Sequence, residues 1–237
     1  MKKRRKQMEY SIILLAGNSS RTKSKNLKQY LVLNGQDLFL YSLNTFYQNT
    51  KINKILLVCD KKHLSYVKSK ISNYNDKEIN VIEGGKSRKE SVFNALNYIK
   101  ENEKSIDSIN VLIHDAARPF INNEIINNCI KELKKHDAIT VAIKANDTII
   151  ENKNSSKFNY LNRDEMLLIQ TPQCFKFNLI YKAHLKNKEK DFNDDTQLVQ
   201  LLGKKVFVVE GSVLNVKITT KNDIEMLSNL GGKHCGI

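Results

Sequence analysis

Three short stretches carry residues whose types and spacing could do chemistry. The first is Ala16-Gly17-Asn18-Ser19-Ser20-Arg21, with Lys23, Lys25 and Lys28 close behind. Small residues ahead of cations let backbone N–H groups turn toward an anion while side-chain charge covers the open side, as in a phosphate cradle. The loop has one Gly and no Walker A spacing, so alone it reads better as an ordinary Lys-rich strand-to-helix turn. The second, Glu83-Gly84-Gly85-Lys86-Ser87-Arg88-Lys89-Glu90-Ser91, is a paired-Gly turn opening a helix, where a base could approach the backbone. The third, His114-Asp115-Ala116-Ala117-Arg118-Pro119, offers one carboxylate suited to a hard cation. Singly, each has a plain structural reading: a turn, a helix cap, a pair that ends a strand. His114 reads as a packing or hydrogen-bonding residue rather than a base. Together the three supply the parts of a nucleotide site.

Each stretch follows an apolar run that predicts a strand. Ile12 to Leu15, Lys54 to Cys59, Ile79 to Ile82, Ile109 to Ile113 and Ala138 to Ile143 are short, rich in β-branched residues and bounded by polar or small ones. Between them, Asp37–Gln48, His63–Ile71, Ser87–Lys100 and Asn122–Lys135 show helical spacing of apolar residues. Strands alternating with helices predict βαβ units and a mostly parallel, Rossmann-like α/β sheet with helices on both faces. In such a sheet ligands gather beyond the carboxyl ends of the strands, where all three stretches fall.

With no Pro- or Gly-rich linker, residues 8–230 read as a single domain, residues 1–7 as a disordered basic extension and 231–237 as a loose tail. The net charge of +14 suits anionic partners, but Lys is spread along the chain among Asn and Ile, a compositional bias rather than a nucleic-acid face. Cys59, Cys129, Cys174 and Cys235 form no CxxC pair, which predicts reduced thiols in a cytoplasmic protein. The run after the basic start is too short for a signal sequence, and no stretch is long enough to span a membrane. The chain from 147 to 163 reads as a hairpin arm, two β-prone pieces around a polar turn.

The motifs LAGNSSR with LKQY, GGKSRKESV, HDAARP, NDTI, NRDEMLLIQTPQ, FNDD and NVKITT appear in the order and spacing of one family. By these the sequence resembles the 2-C-methyl-D-erythritol 4-phosphate cytidylyltransferases of non-mevalonate isoprenoid synthesis, from Met8 to about Leu227. Ribitol-5-phosphate cytidylyltransferases are the nearest alternative. The Ala pair in HDAARP, the RxxSV run at Arg88 and Asp194-Asp195 lean to the erythritol enzyme. Ser19 stands where the family has a second loop Gly, and Leu27 where it has Pro.

The resemblance implies a nucleotidyltransferase fold and transfer of CMP from CTP to a polyol phosphate, releasing pyrophosphate. A phosphate monoester is already anionic near neutral pH, so catalysis needs positioning and charge neutralisation rather than a general base. By position, Arg21 and Lys28 match transition-state stabilisers, and Ala16, Gly17, Asn18, Gly85, Lys86, Ser91 and Ala116 match nucleotide contacts. Asp115 matches the Mg²⁺ carboxylate, while Thr148, Arg163 and Lys217 match the grip on the acceptor phosphate. Alternation alone leaves Lys217, between Val216 and Ile218, free to point to either face. A homodimer with exchanged arms is implied too. The competing classes are a cytidylyltransferase for ribitol phosphate or another polyol or sugar phosphate, and a non-enzymatic nucleic-acid-binding module. The latter lacks interleaved aromatics.

Overall fold

The computed structural model describes residues 7–16, 30–154, 157–187, 192, 194–219 and 223. Gly17, Asn18, Arg21 and Lys28 of the expected cradle lie outside these residues, as do 1–6 and the tail from 231.

Five parallel-type strands fall where the apolar runs predict them. They are β1 (Met8–Leu14), β4 (Lys54–Cys59), β5 (Glu78–Glu83), β6 (Ile109–Asp115) and β7 (Ala138–Lys144), the small β2 (Val32–Leu33) and β3 (Gln36–Asp37) intervening. Asn34 and Gly35, both at positive φ (48° and 80°), turn β2 into β3, a conformation that Asn and Gly accept most readily. The sheet is completed by β10 (Leu167–Lys176) and β11 (Phe207–Glu210), in the order β11-β7-β10-β6-β1-β4-β5. Only β10 runs antiparallel to its neighbours in this sheet. The arm is separate: β8 (Ile149–Asn154) pairs with β9 (Lys157–Leu161).

Side-chain alternation splits the core into two layers. Ile13, Leu15, Ile55, Leu57 and Cys59 meet helices α1 (Leu38–Gln48), α2 (Leu64–Lys70) and α4 (Asn123–Glu132) on one face. Ile12, Leu14, Leu56 and Val58 meet α3 (Arg88–Asn102), α5 (Phe177–Lys186) and α6 (Asp195–Gln200) on the other. Strands β1, β4 and β5 build outward in one direction. The chain then crosses under α3 to β6 on the far side of β1. That reversal opens a crevice at the carboxyl ends of β1 and β6, where Leu14 stands in register with Asp115. Among the described residues no helix is long and apolar enough to cross a membrane.

Candidate active site

The crevice is built from three strand ends. At the end of β1, Ala16 N–H donates to Val58 O (2.9 Å), tying that segment to β4. At the end of β5, a Cβ on Gly84 would come within 2.7 Å of Ala16 Cβ and 2.9 Å of Ser91 Oγ. This is a close approach that only Gly permits. The next residue is held by α3: Ser91 Oγ accepts from Gly85 N–H (3.0 Å) and donates to Ser87 O (2.9 Å). Ser87 also caps α3 by accepting from Glu90 N–H, while Glu90 reaches back to Lys86 N–H. Ala16, Gly85, Lys86 and Ser91, expected at the nucleotide, thus converge on one shelf.

The end of β6 carries the charge. Asp115 is almost fully buried, and its Oδ1 accepts from Arg88 Nε (3.3 Å) and Oδ2 from Lys217 Nζ (2.6 Å). Burial pushes its carboxyl up, but Arg88 and Lys217 overcome this and hold it well below the ordinary 3.8. Arg88 also donates from Nη1 to Asp195 Oδ2 (2.6 Å), so one guanidinium bridges two acids. Asp115 N–H donates to Thr171 Oγ1 (3.1 Å), and Thr171 in turn meets His114 Nδ1 (3.0 Å). His114 Nε2 faces Arg118 O (3.1 Å), a pure acceptor, so Nε2 carries the proton and Nδ1 accepts from the Thr171 hydroxyl. Burial lowers His114 to about 4. It is a neutral hydrogen-bonding residue, as the sequence suggests. Ala116 is buried, its N–H on Leu14 O (3.0 Å).

Lys217 does not sit at a strand edge: residues 213–219 are turn and irregular chain, and its ammonium turns inward to Asp115. Arg118 fastens this segment by donating to Asn215 O (2.8 Å) and Ile169 O (3.2 Å). Thr148 and Arg163 are not part of the cluster. Both are exposed at the base of the arm, where Arg163 donates to Asn146 O (3.1 Å). Among the described residues neither bonds to Asp115 or Lys217.

Residues that the sequence leaves without a role complete the geometry. Gln173 donates to Asp194 Oδ2 (2.5 Å) and accepts from Asp195 N–H (3.0 Å), locking α6 to β10. Arg88, Thr171 and Asp195 lie inside the motifs RKESV, QTPQ and FNDD, which is the one signal that could have drawn attention to them. Two carboxylates bridged by Arg88, the Lys217 ammonium and a glycine shelf at a switch point can bind a nucleoside triphosphate beside a second anion.

Known proteins share this sequence pattern and fold. A family model described as IspD, 2-C-methyl-D-erythritol 4-phosphate cytidylyltransferase, matches residues 10–229. The 2-C-methyl-D-erythritol 4-phosphate cytidylyltransferase of Clostridium kluyveri is 37% identical over 230 residues, 95% of this chain and 97% of that one. Its counterpart in Clostridium beijerinckii is 40% identical over 221 residues, 92% and 95% of the two chains. The crystal structure of 4-diphosphocytidyl-2C-methyl-D-erythritol synthase from Anaerococcus prevotii is similar at a TM-score of 0.83 and 30% identity, covering 96% of this chain and 99% of that one. The chain belongs to the 2-C-methyl-D-erythritol 4-phosphate cytidylyltransferase family.

Proposed function

We propose that this protein transfers the cytidylyl group of CTP to the phosphate of 2-C-methyl-D-erythritol 4-phosphate. The observation that carries the reading is the Arg88–Asp115–Lys217 cluster, centred on a buried carboxylate, beside the glycine shelf. A phosphate oxygen of the acceptor attacks the α-phosphorus. The bond to the bridging oxygen breaks as the new P–O bond forms, and pyrophosphate leaves with the electron pair. Because the nucleophile is already an anion, the residues' work is to hold two anions together and neutralise charge. The shelf of Ala16, Gly85 and Ser91 faces the nucleoside. Arg21 and Lys28 stabilise the triphosphate in the transition state, and Lys217 attracts the acceptor phosphate.

A divalent cation such as Mg²⁺ fits at Asp115. The carboxylate is ionised; Arg88 holds Oδ1, while the exposed Lys217 ammonium on Oδ2 can give way to a metal completed by phosphate oxygens. Bound there, the ion would neutralise triphosphate charge. Asp115→Asn then raises the Mg²⁺ requirement sharply, and an unchanged Mg²⁺ dependence would overturn this assignment.

Arm exchange completes the site. The pairing of Ile150 with Tyr160 and of Asn152 with Phe158 places Ile150, Phe158 and Tyr160 on one face of the hairpin, and all three are exposed. An isolated two-stranded arm buries too little to stand alone, so a second copy of the chain is the fitting cover. Thr148 and Arg163 would then serve the neighbour's acceptor phosphate. Pyrophosphate release from CTP, compared between 2-C-methyl-D-erythritol 4-phosphate and ribitol 5-phosphate, tests the function. Preference for ribitol 5-phosphate would replace it.

A further inference from the structure

We propose that Arg88 is the positioning residue that fixes the Asp115 carboxylate for transfer, and that Asp195 is what fixes Arg88. The inference rests on the cytidylyl-transfer reading, and deepens it by giving a role to RKESV and FNDD.

The two oxygens of Asp115 have unlike partners. Oδ1 accepts from Arg88, whose side chain is 18% exposed, whereas Oδ2 accepts from Lys217, whose side chain is 44% exposed. One partner is built in, and the other reaches in from solvent and can leave. A carboxylate that rotates exchanges its oxygens. Arg88 opposes that rotation and keeps Oδ2 as the oxygen that meets Lys217 or an incoming cation.

Arg88 can do this only if its own guanidinium is held. Its Nη1 is 2.6 Å from Asp195 Oδ2, a residue 107 positions away and 1% exposed. Helix α6 does not need Asp195 as a cap, because Asp194 accepts from Thr196 N–H (2.8 Å) and Gln197 N–H (3.3 Å). A second, buried carboxylate at that position is costly unless it is paired. Its Oδ2 pairs with Arg88 and its backbone N–H donates to Gln173 Oε1, while His184 Nε2 lies 3.3 Å from Oδ1. The acid is therefore placed for Arg88 rather than for the helix. The guanidinium suits the task, since its rigid fork engages two carboxylates at fixed angles where an ammonium would not.

The alternative is a purely structural ion pair that ties α3 to α6. The two differ in what happens to Mg²⁺-dependent nucleotide binding, which calorimetry reads without acceptor or turnover. In Arg88→Met, the Kd for CTP without metal stays within about twofold of wild type, while the tightening brought by Mg²⁺ shrinks by about 10- to 100-fold, the usual scale for an outer partner of a metal ligand. The kcat falls on the same scale. Because Arg88→Met leaves a buried excess of negative charge, Arg88→Met/Asp195→Asn is the companion variant. It removes both halves of the pair, so its Tm lies above that of Arg88→Met, yet its Mg²⁺ effect and kcat stay low. Recovery of the Mg²⁺ effect together with Tm would overturn the role and leave a structural pair. A wild-type chain that neither binds CTP nor releases pyrophosphate would sink the functional reading, and this proposal with it. An active wild type with unaltered variants would sink the proposal alone.

Discussion

The Lys217 ammonium lies 2.6 Å from Asp115 Oδ2, joining two residues 102 positions apart in the chain. The contact places the expected acceptor-phosphate cation on the expected metal carboxylate. Under the metal role proposed for Asp115, a cation arriving with CTP would compete with the Lys217 ammonium for that oxygen. Displaced from Oδ2 in that way, the ammonium would be free for the acceptor.

Lys217→Ala should accordingly raise the KM for the acceptor by about 10- to 100-fold, the loss of one charge-assisted hydrogen bond. Mg²⁺-supported CTP binding, measured by calorimetry, should hold or tighten, because a competitor for Oδ2 is gone. A parallel loss of CTP affinity would assign Lys217 to the nucleotide instead.

Ser91 holds the glycine shelf by accepting from Gly85 N–H and donating to Ser87 O. Ser91→Ala leaves that N–H without its partner, which costs about 1 to 2 kcal/mol of stability. The KM for CTP should rise more than the KM for the acceptor, since the shelf is packed against Ala16 of the proposed nucleotide loop. Equal rises would mean that the shelf supports the whole crevice.

Much of the frame was legible in the sequence because it is local. KILLVC and INVLIHD announce buried parallel strands, and the strand ends then locate the glycine shelf and Asp115. Strand β10 was not legible. Its middle, Gln170-Thr171-Pro172-Gln173, breaks the apolar pattern, yet the two Gln and Thr171 are buried. They are buried because distant partners satisfy them: Ser212 O for Gln170, His114 for Thr171, and Asp194 with Asp195 for Gln173. The Arg88–Asp195 pair was hidden for the same reason. No spacing rule reaches 107 residues. Lys217 was ambiguous because period-two alternation does not apply to a segment that is not a strand.

At the other end of β1, Glu9 gives a pH signature independent of the active site. Burial raises its pKa above the ordinary 4.5, and the Asn110 amide on Oε1 (2.9 Å) and more distant lysines only partly offset this. A carboxyl raised in the fold holds its proton longer than in the unfolded chain, so folding binds protons in the window just above 4.5. Its contribution to stability therefore falls as pH rises through that window. Glu9→Gln keeps an oxygen for Asn110 and removes the buried charge. Its Tm should exceed wild type near pH 8, with the gap closing toward pH 4.5. A gap that widens on acidification would contradict the assignment.

Arm exchange makes a sharper demand. Arg163 and Thr148 stand outside the Asp115 cluster of their own chain, and Arg163 donates to Asn146 O at the arm's base. Exposed Ile150, Phe158 and Tyr160 give the arm an apolar face without cover, and Leu167, Leu168 and Ile169 at the start of β10 are exposed too. If a second copy covers these surfaces, each site takes Arg21 from one subunit and Arg163 from the other. Arg21→Ala, the loss of a preorganised charge at the triphosphate, should lower kcat by about 10² to 10³, and Arg163→Ala should disable the acceptor grip. Unfolding the two inactive chains together and reassembling them then restores activity. Each hybrid dimer has one site with both arginines and one with neither, and random two-fold pairing makes half of the dimers hybrid. About a quarter of wild-type activity returns. If Arg163 serves its own subunit, every site in the mixture carries one lesion, and the mixture stays inactive.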